Sequence, residues 1–288
     1  GEIELSRDAE QERLVMTSGP AQFSLQTLPA DDFPELSIED LGYAFTLPAA
    51  DLKRLIEKTR FAISTEETRY YLNGIYLHQA ETDGKETLRA VATDGHRLAQ
   101  VELPLPSGAK GMPGVIVPRK TVTELSKLVE NEDGEVRVEL SPSKIKISDG
   151  RVVLTSKLID GTFPDYERVI PQGNDKRLEV DNASFAQAVD RVSTLSSDKG
   201  RAVKLALSDG KLTLSVNNPE SGSATEELSV EYGFDPLEIG FNARYLLDIS
   251  QQLESEAAEF LLADPGSPTM VRDVKDPSAL YVLMPMRV

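Results

Sequence analysis

Leu28-Pro29-Ala30-Asp31-Asp32-Phe33-Pro34-Glu35 is matched by Leu158-Ile159-Asp160-Gly161-Thr162-Phe163-Pro164-Asp165, with Phe33 falling on Phe163 at an offset of 130 residues. Upstream of each copy lies a glycine turn between short apolar runs, Leu14-Val15-Met16 to Gly19 in one and Ile145-Lys146-Ile147 to Gly150 in the other. A period of this length is too large for a solenoid unit and suits a compact domain. The first copy starts in mid-pattern, so residues 1 to about 40 read as the end of a domain whose beginning lies outside the chain.

Working outward, Tyr43 to Leu47 alternates like a strand, and Pro48 opens a helix with Leu52, Leu55, Ile56 and Phe61 on one face. Strand-like runs follow at 70–77, 88–93 and 98–103, separated by the turn signals Thr82-Asp83-Gly84 and Asp94-Gly95. Gly114 to Val117 leads through Pro118 into a second helix with Val122, Leu125, Leu128 and Val129, then strands at 136–140, 145–147 and 152–158. The order is strand, helix, three strands, given twice. It restarts after Tyr166: a helix from Ser184 is followed by strands at 203–207, 212–216 and 228–232. The last half-unit has a helix carrying Leu246, Ile249 and Leu253, then strands at 260–262, 269–271 and 280–284. This is an α+β pattern without the long strand–helix alternation of a doubly wound nucleotide fold. The polar stretches near 37–43 and 167–177 mark boundaries, giving segments 1–42, 43–168 and 169–288.

The 288 residues carry no cysteine, two histidines and a formal net charge of -17. Disulfides and thiol chemistry are excluded, and the usual zinc and triad constellations cannot be assembled. No phosphate-loop or dinucleotide glycine motif occurs, and no run approaches the roughly 20 apolar residues of a membrane-spanning helix. A cytoplasmic protein without catalytic residues, metal or cofactor is the plain reading. The charge argues against a surface that sticks to nucleic acid, although a local basic face is compatible with an acidic body. Asn182-Ala183-Ser184 matches a glycosylation acceptor but reads here as a helix N-cap.

Three features are left over. Thr93-Asp94-Gly95-His96-Arg97-Leu98 is a hairpin turn that also carries His and Arg, either a plain turn or an exposed recognition edge. Tyr281 to Val288 stays apolar to the end of the chain, and reads as a strand tucked into a sheet or as the mouth of an adaptable Met284–Met286 groove. Finally, segment 51–60 sets Lys53, Arg54, Lys58 and Arg60 against Asp51 and Glu57, and 119–128 sets Arg119, Lys120 and Lys127 against Glu124. These basic helices are solvated faces or surfaces turned to phosphates; Asp248, Glu254 and Glu256 make the helix near 244–256 a counterexample. A hydrolase built on scattered carboxylates and a purely structural repeat protein remain competing classes.

Together with Phe23-Ser24-Leu25, Arg69-Tyr70-Tyr71-Leu72-Asn73-Gly74, Val117-Pro118-Arg119-Lys120, Phe163-Pro164-Asp165-Tyr166, Asn217-Asn218-Pro219-Glu220 and Gly240-Phe241-Asn242, these motifs resemble the beta subunit of bacterial DNA polymerase III, the sliding-clamp family, across essentially the whole chain. The resemblance implies repeated DNA-clamp domains with antiparallel sheets outside and helices inside, here the remnant of domain one followed by domains two and three. It implies a head-to-tail homodimer ring that encircles duplex DNA without sequence specificity and gives the replicative polymerase its processivity, and that this span alone does not close a normal ring. Implied partners are the DNA polymerase III core, other DNA polymerases, the clamp loader and mismatch-repair proteins, with no membrane and no cofactor.

By match, the partner-peptide site takes in Leu72, Thr93, Gly95, His96, Arg97, Leu98, Pro164, Arg168, Val169, Asn242, Tyr245, Val282, Leu283, Met284, Pro285, Met286 and Arg287. Tyr70, Tyr71, Arg119 and Lys120 resemble DNA-facing positions, and Phe23, Leu25, Thr194, Leu195, Glu220 and Glu226 resemble the ring joint. Gly200 departs from members that carry an aromatic beside the groove.

Overall fold

The computed structural model describes residues 1–8, 12–33, 41–131, 133–196 and 201–288, so Pro34, Glu35 and Gly200 lie outside the described residues. It divides into two units, Gly1–Asp40 and Leu41–Val288. The first unit is an antiparallel three-stranded sheet, β1 (Glu4–Asp8), β2 (Arg13–Ser18) and β3 (Ala21–Gln26), in that spatial order. Phe23 and Leu25 alternate on β3 and are both exposed, as are Leu28 and Phe33.

The second unit gives one plan of strand, helix and three strands four times, twice in each of two repeats. The first repeat runs β4 (Tyr43–Pro48), α1 (Ala49–Arg60), β5 (Gly74–Thr82), β6 (Lys85–Thr93) and β7 (Arg97–Pro104), then β8 (Val115–Pro118), α2 (Arg119–Leu128), β9 (Glu135–Leu140), β10 (Lys144–Ser148) and β11 (Val153–Lys157). The second runs β12 (Lys176–Asp181), α3 (Asn182–Ser193), β13 (Ala202–Ser208), β14 (Lys211–Asn218) and β15 (Gly222–Ser229), then β16 (Leu237–Asn242), α4 (Ala243–Ser250), β17 (Ala257–Leu262), β18 (Thr269–Asp273) and β19 (Asp276–Leu283). The offset of 130 carries β2 onto β10 and β3 onto β11 to within two residues, and β1-β2-β3 has the same neighbour order as β9-β10-β11.

Local chemistry explains the boundaries. Pro48 and Pro118 are each the last residue of a strand and the N-cap of the helix that follows, so each helix begins one position later than expected from sequence. Their fixed φ suits both roles, and the missing N–H lies where no intrahelical acceptor exists. In α3 the cap is Asp181, not Asn182 or Ser184: its carboxylate accepts from the Ser184 amide at 2.8 Å. The Asn182 side chain instead donates to the Ser250 carbonyl at 2.9 Å, tying α3 to the end of α4. The two-residue connection Asp83-Gly84 has positive φ at both positions, the requirement of a type I′ hairpin.

Two expectations are corrected. Residues 70–72 belong to a 3-10 turn, Glu67–Leu72, and the strand begins at Gly74. Gly74 has no room for a Cβ, which would meet the Val117 carbonyl oxygen, so this is where β5 and β8 close on each other. The strand expected at 228–232 lies instead at Gly222–Ser229, sharing only Leu228 and Ser229 with that apolar run. None of its residues is buried, so no hydropathy signal marked it.

The sheets are β11-β10-β9-β4, β15-β14-β13-β16, and an eight-stranded sheet ordered β12-β17-β18-β19-β7-β6-β5-β8. The two repeats therefore share one sheet, joined where β7 pairs antiparallel with β19. Its helix-facing side supplies Ala90, Ala92, Ala99, Val101, Ala279, Tyr281 and Leu283 to the main core. Its opposite side carries a second, smaller core of Leu72, Val91, Leu98, Ile116, Phe163, Tyr166 and Val282. Burial on both faces makes Leu88 to Thr93 continuously buried instead of alternating. Each of these larger side chains contributes on the order of 2 kcal/mol by leaving water.

Candidate partner-binding groove

The smaller core rises to an opening. A cavity of about 180 Å³, almost wholly apolar, is lined by Leu72, Thr93, Gly95, Arg97, Leu98, Pro164, Val169, Val282 and Met284, together with Asp165 and Tyr166, which sequence reasoning did not include. Three segments build it. The first is the loop between β6 and β7, where the Asp94 carboxylate accepts from the His96 and Arg97 amides and Gly95 takes φ +87°. The second is the 3-10 turn Tyr166–Val169 with Phe163 and Pro164 before it. The third is the tail leaving β19.

The loop and the tail are bonded to each other. Leu98 is directly opposite Val282 in the β7–β19 ladder, and beyond the ladder the Met284 amide donates to the His96 carbonyl at 2.9 Å. The Met286 amide donates to the Gly240 carbonyl at 2.8 Å, so the tail spans from β7 to β16. Met284 remains 40% exposed with its thioether at the cavity edge, an unbranched side chain free to adapt to what enters.

Not every matched residue faces this cavity. Leu283 points to the other side of the sheet and is buried in the main core. Arg168 is largely exposed and paired with Asp165 at 2.6 Å. Asn242 caps α4, its side-chain oxygen accepting from the Arg244 amide at 2.9 Å. The Thr93 hydroxyl is engaged inside its own loop, donating to the Arg97 carbonyl at 2.7 Å.

His96 and Tyr245 stack with ring centroids 6.5 Å apart and border a second recess of about 530 Å³ that is mainly polar. Arg97 lies between the two spaces. Its guanidinium sits over the Tyr245 ring at 4.2 Å and the Phe61 ring at 5.1 Å. It donates to Asp94 at 3.2 Å, Asp248 at 2.5 Å and the Phe61 carbonyl at 2.7 Å. Burial raises the Tyr245 phenol, and the Asp94 carboxylate pushes in the same direction.

Two of the four cations of the basic helix α1 are turned inward. Arg54 donates to Asp276 at 2.5 Å and Ser278 at 2.7 Å, and Lys58 is buried against the Gln252 carbonyl and Glu254. These two cations brace the seam between the repeats and do not form an open phosphate-binding face. On α2 the first-turn Arg119 and Lys120 are exposed. The Arg119 amide donates to the Asn73 carbonyl at 2.9 Å, which places this turn beside the 3-10 turn bearing Tyr70 and Tyr71, whose rings meet edge to face at 5.8 Å. Thr194 and Leu195 follow α3, Glu220 is exposed, and Glu226 on β15 is paired with Arg191 at 2.5 Å.

Comparison with known proteins places this architecture. Residues 46–165 match the DNA polymerase III beta subunit central domain and residues 167–287 match its C-terminal domain. The chain is 54% identical to the beta sliding clamp of Caulobacter vibrioides over 287 residues, which is 100% of this chain and 77% of that protein. It is 44% identical to the beta sliding clamp of Escherichia coli strain K12, over 99% of this chain and 76% of that one. The crystal structure of the DNA polymerase III subunit beta sliding clamp of Bartonella birtlesii bound to griselimycin superposes with a TM-score of 0.92 at 56% identity, covering 99% of this chain and 76% of that one. The chain belongs to the DNA polymerase III beta-subunit family, the bacterial beta sliding clamps.

Proposed function

We propose that the chain serves bacterial replication as a sliding clamp: it keeps the replicative polymerase processive by encircling duplex DNA and by holding short apolar peptide segments of its clients, and it carries out no chemistry on either. The observation that supports this most directly is the apolar cavity to which Leu72, the β6–β7 loop, the Pro164–Tyr166 stretch with Val169, and Val282 with Met284 all contribute. A shallow apolar pocket bordered by fixed polar groups suits a hydrophobic peptide end that must be exchanged often. The same cavity would receive the DNA polymerase III core, other polymerases, the clamp loader and mismatch-repair proteins in turn, in the cytoplasm.

Segments 1–42, 43–168 and 169–288 serve as the end of domain one, domain two and domain three. Phe23 and Leu25 of one copy and Thr194, Leu195, Glu220 and Glu226 of another form the ring joint. Tyr70, Tyr71, Arg119 and Lys120 meet the DNA backbone. With a net charge of -17 over the chain, attraction to DNA stays local and salt-sensitive, which leaves an enclosed duplex free to slide. The test is binding of a labelled Gln-Leu-Ser-Leu-Phe pentapeptide. A micromolar Kd is expected for so transient a contact. Removing Met284 to Val288 should abolish binding while circular dichroism shows the sheets intact; unchanged affinity would exclude the groove.

A further inference from the structure

Beneath the cavity, on the small-core side of the sheet, lies a buried polar chain that none of the matched site residues includes. Arg89 on β6 is 6% exposed, and donates through Nη1 to the Tyr166 hydroxyl and to Glu167, both at 2.8 Å. Its Nε donates to Glu102 at 3.1 Å and its Nη2 to Thr82 at 2.8 Å. The Tyr166 hydroxyl is 3.0 Å from His78 Nε2, and His78 Nδ1 is 2.8 Å from the Gln79 carbonyl oxygen. A carbonyl only accepts, so Nδ1 carries the proton and Nε2 is the bare nitrogen. Tyr166 then donates to Nε2 and accepts from Arg89, which fixes the direction of every bond in the series.

This polar series acts on a segment otherwise held by side-chain packing, with Phe163 and Tyr166 buried in the smaller core. Among the described residues no backbone hydrogen bond joins residues 160–169 to the sheet; the Ile159 amide, donating to Ile116 at 3.0 Å, is the last before it. Phe163 stacks on Tyr76 at 4.8 Å, and Tyr76 on His78 at 4.5 Å, which sets one end of the segment. The Tyr166 hydroxyl sets the other, while the residues around it, Pro164, Asp165 and Val169, face the cavity. We propose that Arg89 and His78 are positioning residues for partner binding: through the Tyr166 hydroxyl they fix the distance of the Pro164–Val169 wall from the sheet and so the width of the groove.

The proposal rests on the groove reading above and adds a condition to it. Burial, with Arg89 nearby, holds the His78 imidazole below its ordinary range, although the Gln79 carbonyl and Glu167 oppose this. Burial also raises the Tyr166 phenol to about 12, against the pull of Arg89, so it remains a donor throughout the accessible range. His78 faces Tyr76 on its own strand, Arg89 on β6, and Tyr166 and Glu167 on the wall segment. Once protonated it no longer accepts from the Tyr166 hydroxyl, whose proton must turn elsewhere; Arg89 still donates to Tyr166 and Glu167, but the ordered series that sets the position of the wall is broken.

The experiment measures affinity for the labelled Gln-Leu-Ser-Leu-Phe pentapeptide in four proteins: wild type, Tyr166→Phe, Arg89→Gln and the double variant. Tyr166→Phe keeps the ring that lines the cavity and removes only the hydroxyl. A five- to tenfold weakening is expected in each single variant, with the double no weaker than the worse single, because all three break one series. Arg89→Lys should recover part of the loss. Wild-type affinity should fall on the acid side of neutrality, and His78→Gln should remove that component of the pH profile. With only two histidines, ¹⁵N-histidine spectra assigned by His96→Gln report the tautomer without any peptide. Additive losses, unchanged affinity in Tyr166→Phe, or an Nε2–H tautomer at His78 would each overturn the relay. A wild type that fails to bind the peptide overturns the groove instead, and the spectra still judge the hydrogen-bond series on its own.

Discussion

Arg97 reaches Asp248, 151 residues along the chain, at 2.5 Å, and the same guanidinium is packed between the rings of Phe61 and Tyr245. This side chain thus adds a link between the two repeats beside the β7–β19 ladder, its donors pointing to Asp94, Asp248 and the Phe61 carbonyl. Matched to the family as a peptide contact, Arg97 lines the cavity while its charge is paired within the protein.

Replacing it tests that division. A lysine keeps the charge but has neither the planar fork nor the stacking surface. Arg97→Lys should cost about 1–2 kcal/mol in urea unfolding, and Arg97→Ala about 3 kcal/mol by removing the main cationic partner of Asp94 and Asp248, with Asp94 keeping its two amide donors and Asp248 keeping Arg244 at 3.9 Å. A lysine variant within about 0.5 kcal/mol of wild type would show that the fork is dispensable.

Gly240 controls the tail. A Cβ at this position would lie 2.7 Å from the Met286 carbonyl oxygen and collide with the Val288 side chain. Gly240→Ala should therefore detach the Met286 strap and shift Met284 from the cavity edge, weakening the pentapeptide several-fold in anisotropy titrations. Because β16 continues to pair with β13, the melting temperature should barely change. Full peptide affinity in this variant would show that the tail needs no anchor on β16.

How far this was legible in sequence depends on the range of the interaction. Pro48, Pro118 and the Asp83-Gly84 and Asp94-Gly95 turns act on their own neighbours, so the strand–helix–three-strand plan could be read directly. The 130-residue repeat exposed the domain scale. What pairs across the chain could not be read that way: nothing near Arg97 announces Asp248, and nothing near Arg89 announces Tyr166, 77 residues on. The basic content of α1 left a solvated face and a phosphate-facing surface both open because sequence shows charge without showing direction, whereas Arg54 and Lys58 turn into the seam. β15 escaped because an exposed strand has no buried face to leave a pattern.

Asp273 supplies a stability term with a definite pH window. Burial opposes its ionisation, but the Ser255 hydroxyl and the amides of Lys275, Ser255 and Glu254 all donate to it and bring its pKa down to about 2. A carboxyl lower in the folded state than in the unfolded chain stabilises above its ordinary value near 4 and loses that contribution as the pH falls toward 2. Asp273→Asn should cost about 2 kcal/mol at neutral pH, and the difference from wild type should shrink between about pH 4 and 2. A constant difference across that range, measured by urea unfolding, would assign the loss to packing instead.

Tyr281 makes the opposite case. Its ring is fully buried against Phe61 at 5.8 Å, on the helix side of the sheet where β7 and β19 join. Its hydroxyl finds no hydrogen-bond partner among the described residues, and burial, aided by the Asp276 carboxylate, drives the phenol upward. A buried hydroxyl without a partner is a net cost, so deleting it should help where deleting a bonded one would hurt. Tyr281→Phe is therefore expected to leave stability unchanged or raise it by about 1 kcal/mol, while Tyr166→Phe, whose hydroxyl is bonded on both sides, lowers it by a similar amount. A loss of more than about 1 kcal/mol in Tyr281→Phe, read from urea midpoints at equal slope, would mean that the hydroxyl is satisfied in solution and that the seam between the repeats contains an ordered polar contact.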